Sequence, residues 1–245
     1  MISYRSVAAA SALVAVLIVL LAGEVARAQA LKVIPVNIQI PPGQRTATLT
    51  VINEGSTETA IQIRAYAWDQ DGGSDQLTAS NEVLASPPLT SIAPGASQVV
   101  RLVLRRTPEG REATYRILLD QIPPAAVPGE VKIVLRMSIP IFAQPKNRTA
   151  SHVQFHIERD AGQVYLVGIN DGLRHEAIRD IVLSTNDGRK LKTASGAAPY
   201  ILSGVTRRWL IAAQGPPPLT NETLRMTARA DTGAIEQQVR VVKVP

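Results

Sequence analysis

Apolar residues along this chain recur at every second position rather than every third or fourth. Ala47, Leu49 and Val51 alternate with Thr46, Thr48 and Thr50, and Ile61, Ile63, Ala65 and Ala67 alternate with Gln62, Arg64 and Tyr66. That is the period of strands with one face in a core and the other in water. Turn signals break the pattern at short intervals: Asn53-Glu54-Gly55, Asp71-Gly72-Gly73, Pro94-Gly95, Pro108-Glu109-Gly110, Pro128-Gly129, Asn170-Asp171-Gly172 and Asn186-Asp187-Gly188. Short strands between such turns predict an all-β fold of sandwiches. Glycine tolerates positive φ at little cost, so the two Asn-Asp-Gly tracts are predicted to be hairpin turns.

The alternation does not extend to the start of the chain. After Arg5 an uncharged run covers Ser6 to Gly23, and Ala26-Arg27-Ala28 supplies the small-x-small pattern of a signal-peptidase site. Residues 1–28 are therefore predicted to be a signal peptide. Such a run could also act as a membrane anchor, but the small residues and the lack of a strong basic flank favour cleavage and no stable membrane insertion afterwards. About 215 residues of the 245 then remain, enough for one large core or two of about a hundred residues each. Two domains fit better, because an apolar strand ends near Ala143 and Gln144-Pro145-Lys146-Asn147-Arg148 reads as a connector. Residues 29–143 are predicted to form a first sandwich of about seven strands, starting with one strand from Val33 to Ile40. Residues 144–150 form the linker and 151–245 a second sandwich, with strands Val153–Ile157, Gln163–Ile169, Ile178–Thr185, Arg208–Ala212, Leu224–Arg229 and Glu236–Val244.

Composition narrows the function classes. There is no cysteine, so disulfides and thiolate chemistry are excluded and packing alone must supply stability. The formal charge of +6, lowered by one if the leader is removed, is spread thinly; Arg105-Arg106 and Arg207-Arg208 stand alone, which does not describe a nucleic-acid groove. His152, His156 and His175 are the only imidazoles, and neither His-Glu-x-x-His nor Gly-x-Ser-x-Gly occurs, so the chain does not read as an enzyme and no cofactor or metal is expected. His152 and His156 would share one side of a strand. Asp69, Asp71 and Asp75 cluster in a glycine-rich turn, which is more simply a polar hairpin than a calcium loop, and Trp68 beside them reads as a core residue rather than a sugar platform.

The sharpest local signal is the run from Gly129 to Phe142. Val131, Ile133, Leu135 and Met137 face one way; Lys132, Val134, Arg136 and Ser138 face the other. The stripe is either the core face of the domain's last strand or an exposed apolar edge. Pro140 favours an edge, because proline lacks the N–H that a central strand donates.

The stretch Arg111-Glu112-Ala113-Thr114-Tyr115-Arg116-Ile117-Leu118-Leu119-Asp120-Gln121-Ile122-Pro123-Pro124, followed by the alternating run Val131 to Phe142, resembles the last two strands of the N-terminal domain of periplasmic pilus and fimbrial assembly chaperones, the PapD-like family. Thr48 to Asn53 is similar to that family's second strand ending in asparagine. Ser86-Pro87-Pro88 resembles its loop, and Ile92 to Arg101 its proline-glycine turn into a strand ending in arginine. Tyr200 to Gly204 extends the resemblance more faintly into the second domain.

This resemblance implies two immunoglobulin-like sandwiches in a boomerang, a periplasmic location, and a chaperone that completes pilus subunits by donor-strand complementation before an outer-membrane usher receives them. It implies that Val131, Ile133 and Leu135, with Met137, are the inserted residues. The family's better-known branch holds the subunit's C-terminal carboxylate with an arginine in the first strand and a lysine in the last. Here Val33 to Ile40 holds neither, and the lysine position is Pro140. The archaic branch whose last strand ends in Ser-Ile-Pro-x-Phe, associated with spore-coat-U-like subunits, is closer. Candidate carboxylate anchors are Arg116 first, then Arg101 and Arg136, against the plainer reading that outward arginines on strands are solvated. The alternative function is a secreted β-sandwich fibre subunit or adhesin.

Overall fold

The computed structural model describes residues 31–71, 73–125, 129, 131, 133–147, 149–194, 199–212 and 216–243. The predicted signal peptide lies outside them. Among the described residues there are eighteen strands and no helix. The first ten are β1 (Leu31–Ile34), β2 (Ile38–Ile40), β3 (Thr46–Asn53), β4 (Thr59–Asp71), β5 (Ser74–Ala79), β6 (Val83–Ser86), β7 (Leu89–Ile92), β8 (Ser97–Leu104), β9 (Ala113–Ile122) and β10 (Arg136–Ala143). The other eight are β11 (Val153–Asp160), β12 (Gln163–Asn170), β13 (Glu176–Ser184), β14 (Lys190–Thr193), β15 (Tyr200–Ile201), β16 (Val205–Ala212), β17 (Thr223–Ala230) and β18 (Gly233–Lys243).

Strands β1–β10 make two sheets, ordered β1-β3-β8-β6 and β2-β10-β9-β4-β5, with β7 also paired to β4. The alternating residues close on one core: Leu49 and Val51 of β3, Val100, Leu102 and Leu104 of β8, Ile61 and Ile63 of β4, Ile117 and Leu119 of β9, and Ile139 and Ile141 of β10 are all buried in it. Ten strands replace the seven expected. The difference comes partly from the start of the chain, where the single strand predicted from Val33 to Ile40 is two. β1 pairs antiparallel with β3 in one sheet and β2 pairs parallel with β10 in the other. Pro35 and the residues after it carry the chain from sheet to sheet, and proline, unable to donate to a ladder, suits such a crossing.

The second eight strands form one path, β14-β16-β12-β11-β18-β17-β13-β15. β14 also bonds to β13, so the path closes round its own core of Ile157, Leu166, Leu183, Leu224, Met226 and Val241. The six predicted strands of this half are present, and β14 and β15 are added. The two Asn-Asp-Gly tracts separate: Asn186-Asp187-Gly188 turns β13 into β14, with Gly188 at φ 85°. Asn170-Asp171-Gly172 instead carries the chain between β12 and β13, which do not pair, so it is a crossover rather than a hairpin.

The two halves repeat one device. Asn53 is fully buried at the end of β3; its amide donates to the Thr57 and Ile92 carbonyls at 2.7 and 2.9 Å, and its side-chain oxygen accepts from the Gly55 N–H. Asn170, at the end of β12, donates to the Arg174 and Ile201 carbonyls at 2.8 and 3.0 Å and accepts from the Gly172 N–H. A buried amide with each donor satisfied pins the turn it closes. The described residues are all-β, in two sandwiches each with its own core.

Candidate functional site

The predicted stripe divides within one strand. β10 pairs with β9 from Arg136 opposite Asp120 to Ala143 opposite Ala113. The Gln121 N–H donates to the Leu135 carbonyl, and the Leu135 N–H reaches the Gln121 side chain at 3.3 Å. By the alternation of antiparallel bonding, odd-numbered residues of β10 exchange backbone bonds with β9, and Arg136 and Ser138 turn their N–H and C=O groups outward. β2 covers that outer side only at Ile141–Ala143. The ladder also stops at Ile122, because Pro123, which follows, has no N–H to offer the Ile133 carbonyl.

Ile139 and Ile141 on the odd face are in the core, and Met137 packs partly against it. Beyond them Leu135 is 41% exposed, Ile133 92% and Val131 94%. The expected strand from Val131 to Phe142 is thus a strand only from Arg136, and the residues before it continue its apolar row outside the core. Pro140 is buried rather than standing at a bare edge: β9 lies on one side and β2 approaches on the other. The open edge is instead the outer side of Arg136 and Ser138. A groove of about 400 Å³ at the end of β9 is lined by Ile133, Val134, Ile122, Pro123, Pro124 and Thr57, among others.

The three candidate arginines do not converge. Arg101 is exposed on β8, in the opposite sheet, between Thr48 and Ser86. Arg136 bonds the Asp120 carboxylate on the even face of β10, and Arg64 binds the other oxygen of Asp120 at 2.6 Å. Burial pushes the Asp120 carboxyl up, but the hydrogen bonds and charges of Arg136 and Arg64 outweigh it and hold the group below its ordinary range. Arg116 is buried, which differs from the solvated reading. Its Nη2 lies 3.2 Å from Asp75 Oδ2, and its guanidinium carbon sits 3.7 Å from the centre of the Trp68 ring. Desolvation lowers the Arg116 pKa, with Asp75 opposing.

Arg116 is covered because the second sandwich packs on this face. Trp68 and Phe142 belong to the first sandwich yet are buried in the second core. Phe142 stacks on His175 with ring centres 3.5 Å apart, and Trp68 meets Tyr200 edge-on at 5.6 Å. His175 Nδ1 is 2.6 Å from Glu112 Oε2, both side chains being almost wholly buried. Gln70 accepts from the Leu202 N–H and donates to the Tyr200 carbonyl. His152 precedes β11 and bonds Asp171, while His156 lies on β11 beside Glu158, so the two histidines are not a pair. Asp75 turns to Arg116 and Gln70, whereas Asp69 accepts from the Gln70 N–H. Sequence reasoning placed none of Glu112, Gln70, Asp75, His175 and Arg207 at this seam, reading Asp75 as part of a polar hairpin and His175 and Arg207 as isolated residues. Their partners are more than thirty positions away for Glu112, His175 and the Arg116–Asp75 pair, and no local pattern marks them.

Residues 30–149 match the family model described as pili and flagellar-assembly chaperone, PapD N-terminal domain. Among curated proteins, the chaperone protein FimB/FhaD of Bordetella pertussis is 27% identical over 121 residues, 41% of this chain and 50% of that protein. The chaperone protein PapD of Escherichia coli is 27% identical over 107 residues, 42% of this chain and 43% of that protein. The chain thus spans about half the length of the curated relatives it matches. Among solved structures, the CsuC–CsuE chaperone–tip adhesion subunit pre-assembly complex from the archaic chaperone-usher Csu pili of Acinetobacter baumannii aligns with a TM-score of 0.65 and 22% identity, over 88% of this chain and 100% of that one. The Salmonella enterica SafA pilin in complex with the SafB chaperone aligns at 0.59 and 14%, over 88% and 97%. These likenesses show the fold, two immunoglobulin-like sandwiches.

Proposed function

We propose that this chain, whose N-terminal domain belongs to the pili and flagellar-assembly chaperone family, is a periplasmic chaperone that completes pilus or fimbrial subunits by donating a strand and passes them to an outer-membrane usher. In this reading residues 1–28 direct export, 29–143 and 151–245 are the two domains, and 144–150 join them. Val131, Ile133 and Leu135 fill the groove of a subunit that lacks a strand, with Met137 at the inner end of the row. Arg116 is the first candidate for holding the subunit's carboxylate.

One observation carries the reading. An exposed apolar row at Val131, Ile133 and Leu135 continues in sequence the alternation of the buried Ile139 and Ile141, and the outward backbone groups of Arg136 and Ser138 are open. An exposed apolar edge of this kind is a liability for a protein acting alone and a template for a chain that lacks a strand. Burying each such side chain yields about 1.5–3 kcal/mol, so three or four supply on the order of 5–10 kcal/mol. Association and ordering costs are set against this, leaving a complex firm enough to hold a subunit and open to replacement by another donor strand. Family membership favours this function over a fibre subunit or adhesin.

The test is a pulldown from periplasm. The wild-type protein is expected to bring down a small β-rich subunit in one-to-one ratio. Ile133→Asp with Leu135→Asp is expected to abolish that recovery and keep the melting temperature, since both side chains lie outside the core. A double variant that unfolds, or that still recovers subunit, contradicts the donor assignment.

A further inference from the structure

The place where the apolar row leaves its sheet is held by two side chains of β9. The Gln121 N–H donates to the Leu135 carbonyl at 2.9 Å, and the Leu135 N–H donates to Gln121 Oε1 at 3.3 Å. In a regular antiparallel pair that second bond ends on a main-chain carbonyl. Here the side chain receives it, a longer arm that tethers Leu135 where the row lifts away.

One residue further in, the other face of the strand carries a second tether. Asp120 stands directly opposite Arg136, and its Oδ1 accepts from Arg136 Nε. Its Oδ2 takes Arg64 Nη2 at 2.6 Å, and Arg64 belongs to β4, on the far side of β9. The carboxylate is thus braced from behind, with 14% of the Asp120 side chain exposed. Even-numbered residues of this ladder form the pairs without backbone bonds, in which opposing side chains stand closest. At Arg136 side chains therefore do the holding that backbone does at Met137, which pairs with Leu119.

Both tethers bear on what a guest strand meets. A slip of one residue against Asp120 would turn Leu135, Ile133 and Val131 to the opposite face. Peeling back past Arg136 would leave more backbone to be ordered on binding, a loss of roughly five- to thirtyfold in affinity for each residue freed.

We infer that Asp120 and Gln121 are positioning residues that together fix where the donor row leaves β9 and which face it shows to a captured subunit. This rests on the chaperone reading, but its first test uses the free protein. In Asp120→Asn with Gln121→Ala, the Met137 amide should exchange at least about tenfold faster than in wild type, while the Ile139 and Ile141 amides keep their rates. Gln121→Glu alone, which retains an oxygen for the Leu135 N–H, should match wild type. Unchanged exchange at Met137 in the double variant overturns the inference. Equal acceleration at Ile139 and Ile141 overturns it too, since that is general loosening of the sandwich. Should the double variant not fold, Gln121→Ala alone carries the same comparison.

In the pulldown, subunit should wash off the double variant roughly five- to thirtyfold faster than off wild type, with Gln121→Glu holding as wild type does. Equal retention by the double variant and wild type overturns the inference. A wild-type protein that recovers no subunit sinks the chaperone reading instead, and leaves the exchange result standing.

Discussion

Asp120 joins two strands through two arginines, Arg64 on β4 and Arg136 on β10. Because its folded pKa is depressed, its contribution to stability is present above the unfolded value of about 3.9 and is lost as pH falls through the folded value. Asp120→Asn is therefore expected to cost stability at pH 7, with the difference from wild type closing below about pH 4; urea denaturation across that range measures it. A difference that stays constant with pH would contradict the charged role. Phe142 is a second decisive residue. It is fully buried and stacked on His175, so Phe142→Ala is expected to cost about 3–5 kcal/mol by denaturant melts. The sequence placed Phe142 at the end of an apolar strand, but its even position turns it out of its own core into that of the neighbour. Arg116 shares this fate. On periodicity it belongs to the outward face, and only the arrival of the second sandwich makes that face interior.

At the scale of the strand, the apolar row that leads into β10 has two environments, exposed at Val131, Ile133 and Leu135 and buried at Ile139 and Ile141. Ile133→Asp is expected to leave the melting temperature nearly unchanged, whereas Ile141→Asp, in a fully buried position, places a charge in the core and is expected to cost about 3–5 kcal/mol or prevent folding. Circular dichroism melts of the two variants separate them. The proline pair after β9 is what keeps the outer half unpaired. Replacing Pro123 and Pro124 with Thr and Val should let β9 continue, giving slower amide exchange at residues 133–135 and weaker subunit capture. The alternation itself was legible from residues 47–51 and 61–67, since side-chain period needs no knowledge of partners. The point where β10 leaves its sheet was not, because it depends on what β9 offers across the ladder. For the same reason the first strand split in two: whether Pro35 bends a strand or crosses between sheets is decided by β3 and β10, not by the strand's own residues.

Across the whole molecule, the two sandwiches are tied by side chains that one domain lends to the other. Trp68 and Phe142 occupy the second core, Glu112 meets His175, and Gln70 meets Leu202 and Tyr200. Calorimetry is accordingly expected to show one transition in the wild-type protein, and Trp68→Ala to split it into two as the sandwiches uncouple. Close approach also fixes the connector: the Leu173 N–H donates to the Ala150 carbonyl, and a Cβ added at Gly172 would meet that carbonyl oxygen at 2.7 Å. That two domains existed could be read from chain length and from the proline-marked stretch after Ala143, and the family resemblance from the order of its motifs. The seam could not, because its pairs come together only after both sandwiches form.

Amide hydrogen exchange over residues 131–138, in the free protein and in the complex recovered from periplasm, tests the central claim most directly. The account predicts rapid exchange at 131–135 in the free chain and at the outward Arg136 and Ser138 amides, with protection of this whole stretch once a subunit is bound. Strong protection of 131–135 in the free chain, or rapid exchange there with the subunit held, would contradict it.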